Sequence, residues 1–125
     1  MSITFNIRPN TKPRMTQRDS WKTPPRLCVA KYRAFKDELN IQAKKLNYVV
    51  TPVLSITFVF SMPKSWSKKK RLEMDGAPHQ STPDLDNIMK AFKDSLCEND
   101  SFVHTYRECK KIWGTQDQII VFPTT

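Results

Sequence analysis

Hydrophobic and polar residues alternate along four segments of the chain, and this two-residue period is typical of β-strands with one buried face. The segments are residues 2–8, 54–61, 102–113 and 118–122. In the second segment Val59 makes the other face apolar as well, which indicates an interior strand. Because Gly114 ends the third segment, the last two are predicted to form a hairpin with its turn at residues 114–117.

Apolar residues recur every three or four positions in two other segments, and this period predicts amphipathic helices. The first helix is predicted over about residues 30–46, where lysines surround the apolar stripe. The second carries its stripe from Leu85 to Leu96, and it is predicted to begin close to Pro83 because proline is favoured in a first turn. The basic run after the interior strand allows a short helix at about residues 67–74.

The predicted order of elements is β-α-β-(short α)-α-β-β, which is an α/β (α+β) arrangement. This order cannot wind into a fully parallel sheet, so we expect a mixed β-sheet with helices packed on it. The chain has 125 residues and a mass of 14.6 kDa, the size of one ordinary domain, and residues 1–125 are predicted to fold as one unit. Two basic segments, residues 8–27 and 64–80, are predicted to be mobile loops.

Charge extends the prediction from fold to function. The chain has 21 Lys and Arg against 12 Asp and Glu, a net charge of +9 that attracts a polyanion such as nucleic acid. Residues 1–71 hold 16 basic and 3 acidic residues, whereas residues 72–125 hold 5 and 9. A metal-dependent enzyme acting on nucleic acid requires a basic body with a small acidic region. The alternative is a solvated acidic helix beside unrelated basic loops.

Other features exclude several classes of protein. The apolar run at residues 49–62 is interrupted by Pro52, Ser55 and Thr57, so no membrane span is predicted. The first residues lack the long apolar stretch of a secretory signal, and we therefore expect an intracellular protein. The three cysteines are odd in number and lack CxxC spacing, which predicts neither a disulfide framework nor a zinc site.

Five of the twelve acidic residues fall within residues 84–100. On a helix with 100° per residue the apolar residues centre near Phe92. The polar residues of the opposite side are Asp86, Asn87, Lys90 and Asp94. Asp84 lies about 200° from Asp86 if both are helical, so their carboxylates converge only if Asp84 precedes the first regular turn. The next acid in reach, Asp100, is predicted at the start of the following strand.

Two interpretations of this acidic segment stay open. An Asp in a first turn stabilises a helix by about 0.5–2 kcal/mol, and on this view Asp84 is a cap and Lys90 an ordinary ion-pair partner. On the other view, three Asp carboxylates hold Mg²⁺ and the lysine offsets charge that develops on phosphate oxygens, as phosphodiester hydrolysis requires. A helix start of this kind is more often a simple cap. Two features weaken that interpretation, because the polar group around Asp86 is larger than a cap needs and Asp100 is within folding distance of the helix end.

The segment also resembles a known family. Its motif is Pro83-Asp84-Leu-Asp86-Asn87-x-x-Lys90-x-x-x-Asp94-x-Leu96, followed by an acid about four residues later. This motif resembles the RusA family of Holliday junction resolvases, and the Lys12-Pro-Arg14 sequence and the order of elements also look like that family. The resemblance covers essentially the whole chain. The chain departs from the family at Asn99-Asp100, where many members have paired aspartates, and in a shorter connection after Leu96.

The resemblance implies a homodimeric crossover junction endodeoxyribonuclease that uses Mg²⁺, with Mn²⁺ as a substitute. It would nick two opposed strands of a four-way DNA junction and leave 5′-phosphate ends, in DNA recombination and repair. By position it implies Asp84, Asp86 and Asp100 as catalytic, metal-binding carboxylates and Lys90 as the catalytic lysine, with Asn87 and Asp94 in support. It also implies a cytoplasmic protein encoded by a bacterium or a phage. A less specific branched-DNA nuclease and a non-catalytic basic DNA-binding protein are the alternatives.

Basic residues outside the motif are candidates for contacts with DNA phosphates. They are Lys12, Arg14, Lys68, Lys69, Lys70 and Arg71. His79 lies just before the motif and is a candidate contact to the scissile phosphate, although a histidine in such a loop is more often simply exposed. Lys110 and Lys111 lie on opposite faces of the predicted strand, so only one of them is expected to approach the DNA. Trp21 and Trp66 either stack on unpaired bases or pack within the protein.

Overall fold

The computed structural model, which describes residues 2–124, has a mixed four-stranded β-sheet with two long helices packed on one face. The predicted fold class and the predicted order of elements are confirmed. The strands are β1 (Ile3–Phe5), β2 (Val53–Ser61), β3 (Thr105–Gly114) and β4 (Gln118–Val121). The α-helices are α1 (Leu27–Leu46), α2 (Lys68–Met74) and α3 (Leu85–Leu96), and a 3₁₀ helix spans Gln17–Ser20. No helix within residues 2–124 combines the length and apolar character needed to cross a membrane.

The strand order is β1-β4-β2-β3, with β2 in the interior as predicted. The predicted hairpin is wrong, because β3 pairs parallel to β2 on one side and β4 pairs antiparallel to β2 on the other. Residues 115–117 instead cross the end of β2. Gly114 allows this close crossing, since a Cβ there would lie 2.4 Å from Cγ1 of Val59. Asp117 stabilises this connection, because its side chain accepts a 2.8 Å hydrogen bond from the backbone N–H of Ser61.

The hydrophobic core lies between α1, α3 and one face of the sheet. Alternate residues of β2 point into it, and they are Leu54, Ile56, Phe58 and Phe60. Phe5 of β1 is fully buried there and meets Phe92 of α3 and Tyr48 edge-on, with ring centroids 6.0 and 5.5 Å apart. Each fully buried side chain of this size stabilises the fold by about 1.5–3 kcal/mol. The outer side of α3, which carries the acidic motif, is therefore left facing solvent.

Several element boundaries differ from the prediction. β1 is three residues long, shorter than the predicted residues 2–8, and α1 begins three residues earlier than predicted. β3 begins at Thr105, three residues later than predicted. Asp100 therefore does not lie at the head of a strand. It lies in the connection, five residues before β3 begins.

Both basic segments contain short helices and hydrogen bonds of their own. Asp19 is buried and accepts hydrogen bonds of 2.9 and 2.6 Å from Arg26 and one of 2.8 Å from the backbone N–H of Thr16. The Arg26 guanidinium and Thr16 hold the pKa of the Asp19 carboxyl well below its usual range. In the second segment the predicted short helix is confirmed as α2, with Ser67 as its N-cap. The mobility of these segments remains a prediction.

Candidate active site

The beginning of α3 carries two carboxylates that are open to solvent. Asp84 occupies the N-cap position with extended backbone angles (φ −67°, ψ 142°), so it precedes the first regular turn, as convergence with Asp86 requires. Its side chain makes no capping hydrogen bond. Both residues are exposed, and within residues 2–124 no ion pair includes either of them. The cap-only interpretation of Asp84 therefore lacks the hydrogen bond on which it depends.

The outer face of α3 presents the rest of the predicted motif. Ile88, Met89 and Phe92 are buried against the core, which turns Asn87 and Lys90 outward, where both are exposed. The amphipathic pattern of the sequence predicted this division correctly. Asp86, Asn87 and Lys90 thus share one solvent-facing side of the first two turns.

Asp94 holds two lysines from different parts of the chain. Its Oδ2 lies 3.3 Å from Nζ of Lys90 and 3.0 Å from Nζ of Lys12, which comes from the first basic segment. Desolvation alone would raise the pKa of Asp94, but the hydrogen bonds from Lys12 and Lys90 outweigh it and lower the pKa. The hydrogen bond to Asp94 in turn raises the pKa of Lys12. Lys12, predicted as a DNA contact, therefore lies beside the predicted catalytic lysine.

Asp100 lies at the opposite end of α3 from Asp84 and Asp86. It is four residues past the last residue of the helix, and its Oδ2 lies 3.3 Å from Nζ of Lys93 in the last turn. The 12 residues of α3 span about 18 Å, which separates the two ends. Among the residues that the structure describes, no group of three or more His, Cys, Asp or Glu side chains is placed to hold a metal ion. One chain alone does not bring the three predicted metal ligands together.

His79 does not occupy the exposed position expected of a loop histidine. It is 5% exposed, and its ring stacks on Trp113 with centroids 4.0 Å apart and lies 4.7 Å from the ring of Phe60. Burial, together with the positive charges of Lys111 and Arg8, lowers the pKa of His79 below its ordinary value. A buried, neutral ring is a poor ligand for phosphate, so the structure favours a packing role for His79.

The packing around His79 extends to the second basic segment. Trp66 meets Trp113 with ring centroids 4.9 Å apart, and Nζ of Lys70 lies 4.4 Å from the centroid of Trp66. Arg71 donates hydrogen bonds to the backbone carbonyls of Pro63 and Trp66. Of the two interpretations of Trp66, packing is thus the one that the contacts support.

The predicted DNA-contacting residues divide into two groups. Arg14 and the three lysines at the start of α2, Lys68, Lys69 and Lys70, are exposed. Lys12 and Arg71 are half-buried and bonded within the protein. Trp21 is 69% exposed on the first basic segment, so it is open to a stacking partner.

Two residues, Lys111 and Trp113, make contacts near the start of α3 that were not predicted from the sequence, where Lys111 was considered only as one of two lysines that could approach DNA. Lys111 donates from Nζ to the backbone carbonyls of Ser81 and Pro83, directly before Asp84. Trp113 of β3 stacks on the ring of His79, which lies in the same loop as Ser81 and Pro83. The one available signal was strand alternation, which puts both side chains on the face of β3 that the helices cover.

The comparison with protein families identifies a match over most of the chain. The model of the family described as endodeoxyribonuclease RusA matches residues 5–121 of the 125-residue chain. The matched range runs from the last residue of β1 to the last residue of β4 and includes both ends of α3. No curated protein and no solved structure shows a significant match. The chain therefore belongs to the RusA family of endodeoxyribonucleases.

Proposed function

We propose that this protein is a Mg²⁺-dependent endonuclease that resolves Holliday junctions by paired, symmetric nicks. The observation that carries the proposal is the pair of exposed carboxylates at the start of α3, Asp84 and Asp86, which have no partner within the described chain. They belong to a chain with a net charge of +9 in a family of endodeoxyribonucleases. A basic surface attracts DNA phosphates, and a local acidic pair attracts a divalent cation.

The metal site is proposed to require two copies of the chain. Within residues 2–124 of one chain no third carboxylate joins Asp84 and Asp86, since Asp100 lies at the far end of α3 from them. In a twofold dimer each copy can supply Asp100 to the carboxylates of the other, which gives two equivalent sites. Bound Mg²⁺ supplies a polarised water and offsets negative charge on phosphate. A four-way junction has two equivalent scissile strands, and two equivalent sites match them.

Lys90 is proposed as the cation that offsets charge on the scissile phosphate or on the leaving oxygen. Its side chain is 62% exposed, and it lies one turn after Asp86 on the same side of α3. The Oδ2 atom of Asp94 forms ion pairs with the ammonium groups of both Lys90 and Lys12. Two lysines on one carboxylate leave a net positive charge, which suits a site for phosphate.

DNA binding is proposed to use the exposed basic residues of both basic segments. The exposed members are Arg14, Lys68, Lys69 and Lys70. If about six phosphates are engaged, affinity for a junction should fall about a thousandfold between 50 and 200 mM salt. Titrations of labelled junction by protein across this range measure the slope, and a flat salt response would contradict this interface.

A cleavage assay with mapped products tests the proposed function. Purified protein is incubated with a labelled four-way junction without metal, with Mg²⁺ and with Mn²⁺, beside flaps, forks and duplexes of matched sequence. We expect symmetric nicks with ligatable ends on the junction, and only when metal is added. Equal cutting of flaps and forks would indicate a general branched-DNA nuclease, whereas tight binding without cutting would indicate a DNA-binding protein without catalysis.

A further inference from the structure

The loop between the basic helix α2 and the acidic helix α3 is attached along the edge of β3. The backbone N–H of Gly76 donates to the carbonyl of Trp113, and the N–H of Trp113 donates to the carbonyl of Ala77, both at 2.9 Å. The N–H of His79 donates to the carbonyl of Lys111 at 3.0 Å. These hydrogen bonds hold the loop backbone against β3 as far as His79.

Beyond His79 the loop is held by a side chain. The ammonium of Lys111 donates to the backbone carbonyls of Ser81 and Pro83, the last carbonyl before Asp84. Lys111 is half-buried, on the face of β3 that the helices cover, next to Trp113 and the ring of His79. Hydrogen bonds from a charged donor are stronger than neutral ones, and two of them fix the direction of the backbone that enters α3.

We propose that Lys111 is a positioning residue for Asp84. Asp84 has no capping hydrogen bond of its own, so the direction of its side chain depends on the backbone on either side of it. On the helix side that backbone is fixed by α3, and on the loop side it is fixed by Lys111. The inference rests on the proposed function, in which Asp84 is a catalytic carboxylate, and it assigns the orientation of that carboxylate to a residue of β3.

The neighbouring residue offers a matched control. Lys110 carries the same charge, but it is exposed on the opposite face of β3 and pairs with Glu108 at 2.8 Å. The substitutions Lys111→Met and Lys110→Met remove the same charge from the same strand, and only the first removes the donors to Ser81 and Pro83. A difference between the two variants therefore reports on the hydrogen bonds from Lys111 to Ser81 and Pro83 and not on net charge.

Three measurements on the full-length variants test the proposal. Single-turnover cleavage of a four-way junction at saturating protein should be about 10- to 100-fold slower in Lys111→Met than in Lys110→Met, because small misplacements of a reacting group have effects of this size. The Kd of Lys111→Met for the junction should match that of the wild-type protein. Amide hydrogen exchange of a peptide covering residues 77–84 should be faster in Lys111→Met alone. Lys111→Arg retains charged donors and should recover most of the rate.

Each contrary result overturns the proposal. Equal cleavage rates in the two Met variants would remove the positioning role, and so would failure of Lys111→Arg to exceed Lys111→Met. A rise in Kd that matches the loss of rate would make Lys111 a phosphate contact instead. If Lys111→Met does not fold, as judged by circular dichroism, Lys111→Gln replaces it. The expected result is the same, slower cleavage with an unchanged Kd for the junction. Hydrogen exchange needs no activity, so it tests whether Lys111 holds the loop before Asp84 even if the wild-type protein cuts no junction. An inactive wild-type protein would refute only the proposed function.

Discussion

The two ends of α3 carry the same kind of side chain in opposite electrostatic states. At the beginning of the helix Asp84 and Asp86 are exposed and take part in no ion pair within residues 2–124. At its end Asp94 and Asp100 each have a lysine partner within 3.3 Å. The carboxylates at the beginning are therefore open to solvent, whereas those at the end are paired with lysines of the same chain.

The helix dipole explains this difference. The positive end of α3 stabilises the carboxylates at its beginning by about 0.3–1 kcal/mol each, so they need no lysine. The negative end disfavours carboxylates, and lysines there compensate for it. Desolvation would lower the pKa of Lys93, but the hydrogen bonds to Tyr106 and Asp100 raise it. One helix thus separates an acidic pair that is open to solvent from a network in which acids hold lysines in place.

The largest effect should come from an acid at the beginning of α3. Replacing Asp86 with Asn removes a carboxylate that is proposed to hold the metal, and we expect the cleavage rate to fall about a thousandfold, the equivalent of about 4 kcal/mol in transition-state stabilisation. Junction affinity should be unchanged or higher, because removing negative charge does not weaken phosphate contacts. Single-turnover cleavage and a binding titration measure the two quantities.

The control for this substitution is Asp37→Asn. Asp37 is an exposed acid of α1, and its loss changes net charge by the same amount. It should leave the rate unchanged. If Asp86→Asn cuts as fast as Asp37→Asn, Asp86 is not a metal ligand and the assignment of the site to the beginning of α3 is wrong.

The next effect concerns how the two ends of α3 come together. If Asp100 of one copy completes the site of the other, a mixed dimer of Asp86→Asn and Asp100→Asn chains has one intact site and one site with both defects. Such a dimer should nick one strand of a junction, although each variant alone is inactive. Mixing the variants after unfolding and refolding, followed by mapping of nicks on each strand, measures this.

The opposite outcome is equally clear. If each site is built within a single chain, every site in the mixed dimer carries a defect, and mixing restores no cleavage. This result would leave the catalytic roles of Asp86 and Asp100 intact but would require Asp100 to leave Lys93 and move to the other end of α3 within its own chain.

The contrast along α3 was partly predictable from sequence because much of it is local. The helix, its buried stripe and its polar face follow from the 3.6-residue period, and the ion pair between Lys90 and Asp94 follows from their i, i+4 spacing. The helix begins close to Pro83 as predicted, but Pro83 lies before the N-cap Asp84 and not in the first turn. Periodicity and spacing suffice wherever partners are within one or two turns of each other.

The parts that were not predicted depend on which strands are neighbours. A four-residue connection between two strand patterns predicts a hairpin, but here the connection crosses the end of β2, and no local signal marks that choice. The burial of His79 depends on β3 passing beside its loop. The separation of Asp100 from Asp84 depends on the connection after Leu96 continuing into β3 instead of returning along the helix. Long-range pairing decides each of these features.

Asp94→Asn should have a smaller effect on cleavage than Asp86→Asn. The substitution removes the shared acceptor of Lys12 and Lys90 without removing either lysine. Ion pairs of this exposure contribute up to about 1 kcal/mol, so we expect a rate loss of about fivefold, with no loss of junction affinity because both lysines become available to phosphate. Single-turnover rates beside Asp37→Asn check this. A loss as large as that of Asp86→Asn would mean that Asp94 binds metal.

The smallest effect is on stability and depends on pH. Because the pKa of Asp94 in the folded protein is lowered from its ordinary 3.8, its ion pairs stabilise the fold fully above that value, and this contribution is lost as the pH falls through the lowered one. The melting temperature of Asp94→Asn should therefore be about 4 °C below wild type at pH 7, and the difference should shrink towards pH 2. Asp86→Asn removes no ion pair and loses only the helix-dipole interaction of about 0.3–1 kcal/mol, so at pH 7 its melting temperature should fall by no more than that of Asp94→Asn. Thermal melts of the three proteins measure this, and a deficit of Asp94→Asn that persists unchanged at pH 2 would assign the effect to packing and not to charge.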